Sequence, residues 1–373
     1  MKIVNAEVRV VTPRVERYTW SHDLPEQYMT LTLVRIRTDE GVEGIGGVGN
    51  YTSFHYDRYT AETLRHLIPL LPGLNPLLPE DVRMQLRPRV FPIPPAALAA
   101  VDIALWDLMG KVAKMPIYQL LGGSRNRIRS YASTPMLSDV PAYLDFIDEH
   151  IEKGFRAVKF HTWCVPEKDL ELARAVGKKY QGKDVVFMLD VENNYDRKSA
   201  LRVAQELEDL RFGWFEAPFP DYDLEGYIDL TRRVRIPILP SGNWIQDLQG
   251  FSSALNRHAW TSARTDVTVM GGISGARKAL ALVEAAGMNC EIMSWGPTMI
   301  SAANLHVILS VPFCTYFEQA VPYPSYEFAM KDVIRTQPDG YVEAPSGPGL
   351  GVELDWKAVE AATILTFDSS SKG

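Results

Sequence analysis

Two side chains set two apart in an apolar run, Lys159 and His161 within Gly154-Phe-Arg-Ala-Val-Lys-Phe-His-Thr-Trp163, have types and spacing that suggest chemistry. The run follows a helical stretch and a glycine, so it reads as a buried strand, on which residues i and i+2 share a face. An amine beside an imidazole pairs a charge stabiliser with a proton acceptor. With an unperturbed pKa of ~6.5, the imidazole can both take and return a proton. Taken alone, Lys-x-His is equally the pattern of a surface ion pair beside a hydrogen-bonded histidine.

Carboxylates supply the context. Leu189-Asp-Val-Glu-Asn193 ends a second apolar run with Asp190 and Glu192 on one side, and Trp214-Phe-Glu-Ala-Pro218 presents Glu216. If the strands are adjacent, the three acids converge. Two such charges ~4 Å apart repel by roughly 4 kcal/mol at an effective dielectric of ~20, so a cation or a proton must offset them. An oxygen-rich donor set without cysteine favours Mg²⁺, with Mn²⁺ second. Pairing with lysine or arginine is the alternative reading.

The elements that would position these groups follow from hydrophobic rhythm. Residues 2–12 and about 28–37 alternate like strands, and Thr38-Asp-Glu-Gly41 turns the chain into a third, so it opens with an antiparallel meander. Gly44-Ile-Gly-Gly-Val-Gly49 matches a dinucleotide fingerprint in spacing but leads into a loop rather than a helix, which argues against a cofactor there. Residues 61–123 read as helical, including a small-residue face from Ala96 to Lys111. Strands and helices then alternate. The strands are read at Ile128 to Ala132, Ala157 to His161, Val185 to Asp190, Gly213 to Glu216, Ile236 to Leu239, Trp260 to Thr265, Cys290 to Ser294 and Thr315 to Glu318. Eight short apolar strands are the count of a closed parallel α/β barrel, with a doubly wound open sheet as runner-up. The expected organisation is an α+β capping domain over 1–125, a (β/α) TIM-type barrel over 126–320, and a C-terminal segment, 321–373, that returns to the cap.

The 373 residues, 46% hydrophobic and 23% charged, have ordinary globular composition, and a net charge of -7 with pI near 5.6 argues against nucleic-acid or anionic-membrane partners. Three widely spaced cysteines, Cys164, Cys290 and Cys314, suggest neither a disulfide framework nor a zinc site. With no apolar signal core or membrane-length run, the expected location is the cytoplasm.

Ala97 to Lys111 with Pro116 to Gly123, Lys159-Phe-His161, Leu189-Asp190, Trp214 to Pro218, Gly242-Asn-Trp244, Asp266 with Gly271 to Gly275, and Gly347-Pro-Gly-Leu-Gly351 together resemble the enolase superfamily, in its mandelate racemase and sugar-acid dehydratase branch. The resemblance covers nearly the whole chain in order. It implies a cap over a modified barrel, Mg²⁺ at the ends of barrel strands three to five, and removal of the proton α to a carboxylate to give a stabilised enediolate. It also implies a homo-oligomer and a small acid as substrate. Cap loops holding Trp20, His22, Tyr51 and His55, together with Asn243, Trp295 and Glu318, are the expected substrate contacts.

Departures from the family pattern shape the functional expectation. Where relatives carry Gly-Glu-Asn-Trp on the fifth barrel strand, this chain has Ser241-Gly-Asn-Trp244, so Gly242 offers no ligand, and Glu192 stands where Asn is common. The expected metal set is therefore Asp190, Glu192 and Glu216. His161 replaces a second lysine, and Met293 lies where the family's His would complete a dyad with Asp266. Racemisation needs acids on both faces of the enediolate, whereas syn dehydration can use one base. The expectation is a Mg²⁺-dependent dehydratase of a hydroxylated, sugar-type acid, with His161 as base, Lys159 as charge stabiliser and Asp266 as a further catalytic residue. A racemase or epimerase, and a barrel that binds an acid without turnover, are the alternatives.

Overall fold

The computed structural model describes residues 1–87, 92–294 and 296–370. The chain opens with β1 (Ile3–Val11), β2 (Tyr28–Thr38) and β3 (Glu43–Thr52), followed by α1 (Arg58–Leu67), α2 (Pro79–Leu86), α3 (Pro95–Ala113) and α4 (Ile117–Leu120). Strands and helices then alternate as β4 (Arg127–Ser133), α5 (Val140–Glu152), β5 (Ala157–His161), α6 (Pro166–Lys179), β6 (Val186–Asp190) and α7 (Arg197–Asp209). They continue as β7 (Trp214–Glu216), α8 (Leu224–Arg233), β8 (Ile238–Leu239), α9 (Leu248–Asn256), β9 (Ser262–Thr265), α10 (Ile273–Ala285), β10 (Asn289–Ile292), α11 (Met299–Ser310) and β11 (Phe317–Ala320). β12 (Tyr341–Glu343), α12 (Trp356–Ala362) and β13 (Thr363–Asp368) complete the chain.

The cap is an antiparallel sheet in the order β13-β1-β2-β3, covered by α3. α3 is buried on nearly every face, and its alanines let β3 approach closely. A Cβ on Gly44 would meet the Ala104 carbonyl, and one on Gly46 would meet the Ala100 carbonyl and the Ala104 amide. Gly44 and Gly46 thus serve helix-on-sheet packing. Overpacking against backbone of this kind costs about 1–3 kcal/mol, so Gly46→Ala should lower the urea midpoint by that amount of stability. An unchanged midpoint would show that this contact can open without cost.

In the second domain β11, β4, β5, β6, β7 and β8 form a continuous parallel ladder, and β9 pairs with β10. The Thr261 N–H donates to Ile238 O at 3.1 Å between β8 and β9, and the Cys290 N–H donates to Phe313 O at 3.1 Å between β10 and the approach to β11. The alternating βα order and these two links follow the expected barrel, with β9 and β10 forming a separate ladder between β8 and β11. β11 joins the ladder only at Phe317, two residues later than expected, because the Thr315 and Tyr316 N–H groups donate to the Glu291 carboxylate at 3.2–3.3 Å. Helices α5, α7, α8 and α9 each start at an aspartate whose carboxylate accepts a first-turn N–H. β12 lies antiparallel on β4, and β13 carries the chain back to β1. Among the described residues no helix is long and apolar enough to cross a membrane, and all three cysteines are buried thiols.

His306 ties the domains together. Its Nδ1 accepts the Tyr118 N–H at 3.2 Å, and its Nε2 lies 3.0 Å from Leu350 O, to which only an N–H can donate. A second ring proton would face a donor, and burial pushes this imidazole down to about 4. Its folded pKa lies below the unfolded ~6.5, so the unfolded chain binds more protons between the two values and stability falls as pH drops from 6.5 towards 4. The loss totals about 3 kcal/mol. The stability advantage of wild type over His306→Gln should shrink across this window in urea titrations; parallel curves would refute the assignment.

Candidate active site

Period-two alternation builds the barrel interior in layers. Tyr131, Ala157, Met188, Trp214 and Leu239, from β4 to β8, form an apolar floor. Two residues further along β4, β5, β6 and β7 stand Ser133, Lys159, Asp190 and Glu216, and one more step on β5 gives His161. The polar layer therefore sits on a dry, packed base at the carboxyl ends of the strands.

Lys159, 1% exposed, is the hub. Its Nζ donates to Asp190 Oδ2 at 3.0 Å and to Glu216 Oε1 at 2.8 Å, and lies 2.9 Å from Glu318 Oε1 as an ion pair. Burial opposes the charge, but the facing carboxylates hold this ammonium well above its ordinary value. Glu318 also accepts from Ser133 Oγ at 3.0 Å. Burial works against its ionisation, yet Lys159 and Arg264 draw it down to about 2. Glu216 Oε2 accepts the Trp214 indole N–H at 2.9 Å.

His161 is held by its own strand end. Its Nδ1 lies 2.5 Å from Thr134 O. A carbonyl can only accept, so the proton resides on Nδ1 and Nε2 faces the cavity. Nε2 is 3.2 Å from Asp190 Oδ2 and 3.4 Å from Glu192 Oε1. Glu192 takes a left-handed backbone conformation, φ 47°, and its N–H donates to Asp190 Oδ1 at 3.1 Å. Although 28% of its side chain is open to the cavity, the depth of the site and the Asp190 charge push its carboxyl up to about 8.

These groups line a cavity of about 920 Å³ between barrel and cap, shared with Trp20, Tyr51, Asn243, Asp266 and Met293. Trp20 and Tyr51 meet edge to face with centroids 4.9 Å apart. Asp266 Oδ1 accepts the Val269 N–H at 2.6 Å, and burial pushes its carboxyl up to about 6. Two expected contacts lie elsewhere. His22 is exposed, with Nδ1 2.5 Å from Trp163 O, and His55 is exposed and set edge-on to Tyr56. Trp295 falls outside the described residues.

Sequence reasoning missed Arg264, 2% exposed on β9, whose Nε lies 2.8 Å from Glu216 Oε1 and whose Nη2 donates to Glu318 Oε2 at 2.7 Å. Its signal was present: Arg264 is two residues from Asp266, hence on the same interior face.

The expected trio of Asp190, Glu192 and Glu216 does not share free oxygens around one point. Lys159, Arg264 and Trp214 surround Glu216, and Gly242 contributes no ligand. Among the described residues the donors that do converge are His161, Asp190 and Glu192, within 4.8 Å of one another. That set would engage Nε2 of His161 and leaves Glu216 out. The residues therefore do not fit a divalent ion at the position the family pattern gives it.

Residues 142–358 match the family model described as enolase C-terminal domain-like, and residues 5–122 match the mandelate racemase / muconate lactonizing enzyme N-terminal domain. The chain belongs to the enolase superfamily. A solved mandelate racemase/muconate lactonizing-type protein from Pseudovibrio sp. is 40% identical, with TM-score 0.96 and 98% of each chain covered. D-Glucarate dehydratase from Agrobacterium tumefaciens, solved with magnesium, is 26% identical, with TM-score 0.84, covering 98% of this chain and 100% of that one. The N-succinyl-L-Arg/Lys racemase of Bacillus cereus is 25% identical over 359 residues, 95% of this chain and 94% of that protein. With dehydratases and racemases among its relatives, this enolase-superfamily member is an enzyme of the lyase or isomerase type.

Proposed function

We propose that the protein is a hydro-lyase that removes the α-proton and the β-hydroxyl of a hydroxylated, sugar-type acid. The observation that carries this reading is the His161 tether: Thr134 O holds the proton on Nδ1, so Nε2 faces the cavity as a base beside a protonated Glu192. Nε2 takes the α-proton, and the Glu192 carboxyl gives its proton to the departing hydroxyl, which leaves as water. The resulting imidazolium returns a proton to the Glu192 carboxylate 3.4 Å away, and the released enol tautomerises to the 2-keto acid. D-Glucarate dehydratase was solved with magnesium, an ion whose chemistry is to polarise carboxylate oxygens; here no step depends on one.

The test is a panel of aldonic and aldaric acids assayed in deuterium oxide for 2-keto acid and for α-deuterium. Glu192→Gln should lower 2-keto-acid formation by roughly 100-fold or more while α-deuterium exchange stays within about tenfold, because only the acid is removed. In the wild type, dehydration should fall as pH rises through about 8, where Glu192 loses its proton, while exchange persists. Equal loss of both signals in the variant would return the acid role to His161.

Asp266 supports a second reading. It comes from the sixth of eight barrel strands, across the ring from His161 on the second, where a racemase or epimerase would need its other acid. Exchange or inversion at the α-carbon without loss of water identifies that chemistry.

A further inference from the structure

The strand packed against Gly242, where the resemblance expects a carboxylate ligand, carries the buried Arg264. A Cβ on Gly242 would lie 2.9 Å from the backbone carbonyl of Arg264 and 3.0 Å from its Cγ. Gly242 also sits at φ 81°, a conformation that side chains rarely adopt. A side chain there would meet the β9 main chain at Arg264 and the stem of that arginine. The position that lacks a carboxylate thus lies against the strand that carries the buried guanidinium.

Arg264 is not fully used by the protein. Nη2 is bonded to Glu318, and Nε touches Glu216 without the alignment of a hydrogen bond. Nη1 is buried and has no hydrogen-bond partner among the described residues, although the side chain lines the cavity. Lys159 is enclosed by three carboxylates and hydrogen-bonded to two of them. The unpaired N–H groups that line the site are those of the guanidinium.

We infer that Arg264 takes the electrophilic role of the family's metal ion, its Nη1 receiving a carboxylate oxygen of the substrate and stabilising the enediolate without a divalent cation. The inference rests on the lyase reading for its reaction but not for its ligand. A planar guanidinium suits the task, because its N–H fork matches a carboxylate and its charge does not titrate. The negative charge that forms on the substrate oxygens meets a cation already fixed by Glu216 and Glu318, which is electrostatic preorganisation.

The experiment is calorimetry on chelator-treated, full-length protein with tartronate and the aldonic and aldaric acid panel, in EDTA and in excess Mg²⁺. At least one acid should bind in EDTA, with an affinity within about twofold of that in Mg²⁺, and Arg264→Lys should weaken it roughly 10- to 100-fold, the span of a charge-assisted hydrogen bond. The lysine variant keeps the buried charge, and its melting curve checks that it is folded; the wild-type comparison needs no variant. Binding or α-deuterium exchange that occurs only with Mg²⁺ overturns the inference, as does an Arg264→Lys protein with wild-type affinity. Metal-free, Arg264-dependent binding without any exchange would instead overturn the lyase and isomerase readings and leave the Arg264 assignment standing.

Discussion

His161→Ala should abolish both α-proton exchange and 2-keto-acid formation, by roughly 10²- to 10⁴-fold in kcat, with a much smaller change in KM. The expectation follows from position. Nε2 faces the cavity, Nδ1 is committed to Thr134 O, and the groups nearest Nε2 are Asp190, held ionised by Lys159, and Glu192, which carries a proton. Burial works against the Asp190 charge, but the Lys159 ammonium outweighs it and holds the carboxyl well below its ordinary range. A carboxylate of such low basicity cannot replace an imidazole. His161→Asn probes the same point more gently, since an amide can still donate to Thr134 O but cannot take a proton. If deuterium exchange survives in His161→Ala at more than about a tenth of the wild-type rate, the base lies elsewhere, and Asp266 becomes the candidate.

The second large effect is on stability. Lys159 is the point at which Asp190, Glu216 and Glu318 meet, and all four side chains are at most 5% exposed. Lys159→Met removes the cation while keeping most of the volume. Breaking a buried ion pair by deleting one partner costs about 3–5 kcal/mol, because the remaining charges are left uncompensated in a low-dielectric setting. Arg264 still faces Glu216 and Glu318 but not Asp190, so Asp190 should bear most of the penalty. Denaturant unfolding should show the loss at neutral pH. Adding Asp190→Asn to Lys159→Met should recover part of it, a non-additivity expected only if the two residues are coupled. Simple additivity would mean that the lysine acts through packing.

Much of this arrangement follows from period-two alternation, which is visible in the amino-acid sequence. Lys159 with His161, Asp190 with Glu192, and the strand end at Glu216 could be assigned to one face because the spacing leaves no other choice in a buried strand. What could not be read is anything set by placement around the ring. That Lys159 meets carboxylates from β6, β7 and β11, and that Arg264 reaches Glu216 and Glu318, depends on which strands neighbour one another across the interior. A single arginine in Ser262-Ala-Arg-Thr265 gives no local sign of this. Loop residues were the other blind spot. Trp20 and Tyr51, the latter at the end of β3, line the cavity while His22 and His55, two and four residues further on, are exposed, because loop paths are not fixed by periodicity. The packing role of Gly44 and Gly46 needed the position of α3.

Pairing of β13 with β1 has a consequence for how the protein comes into being. Val8 lies opposite Phe367, so the cap sheet joins segments more than 350 residues apart, and the whole barrel is an insertion between them. On the ribosome, β1 must wait with one edge bare until β13 emerges, while the βα units can assemble as they appear. The barrel can therefore form early, yet the cap sheet is complete only once the segment beyond the barrel has joined it.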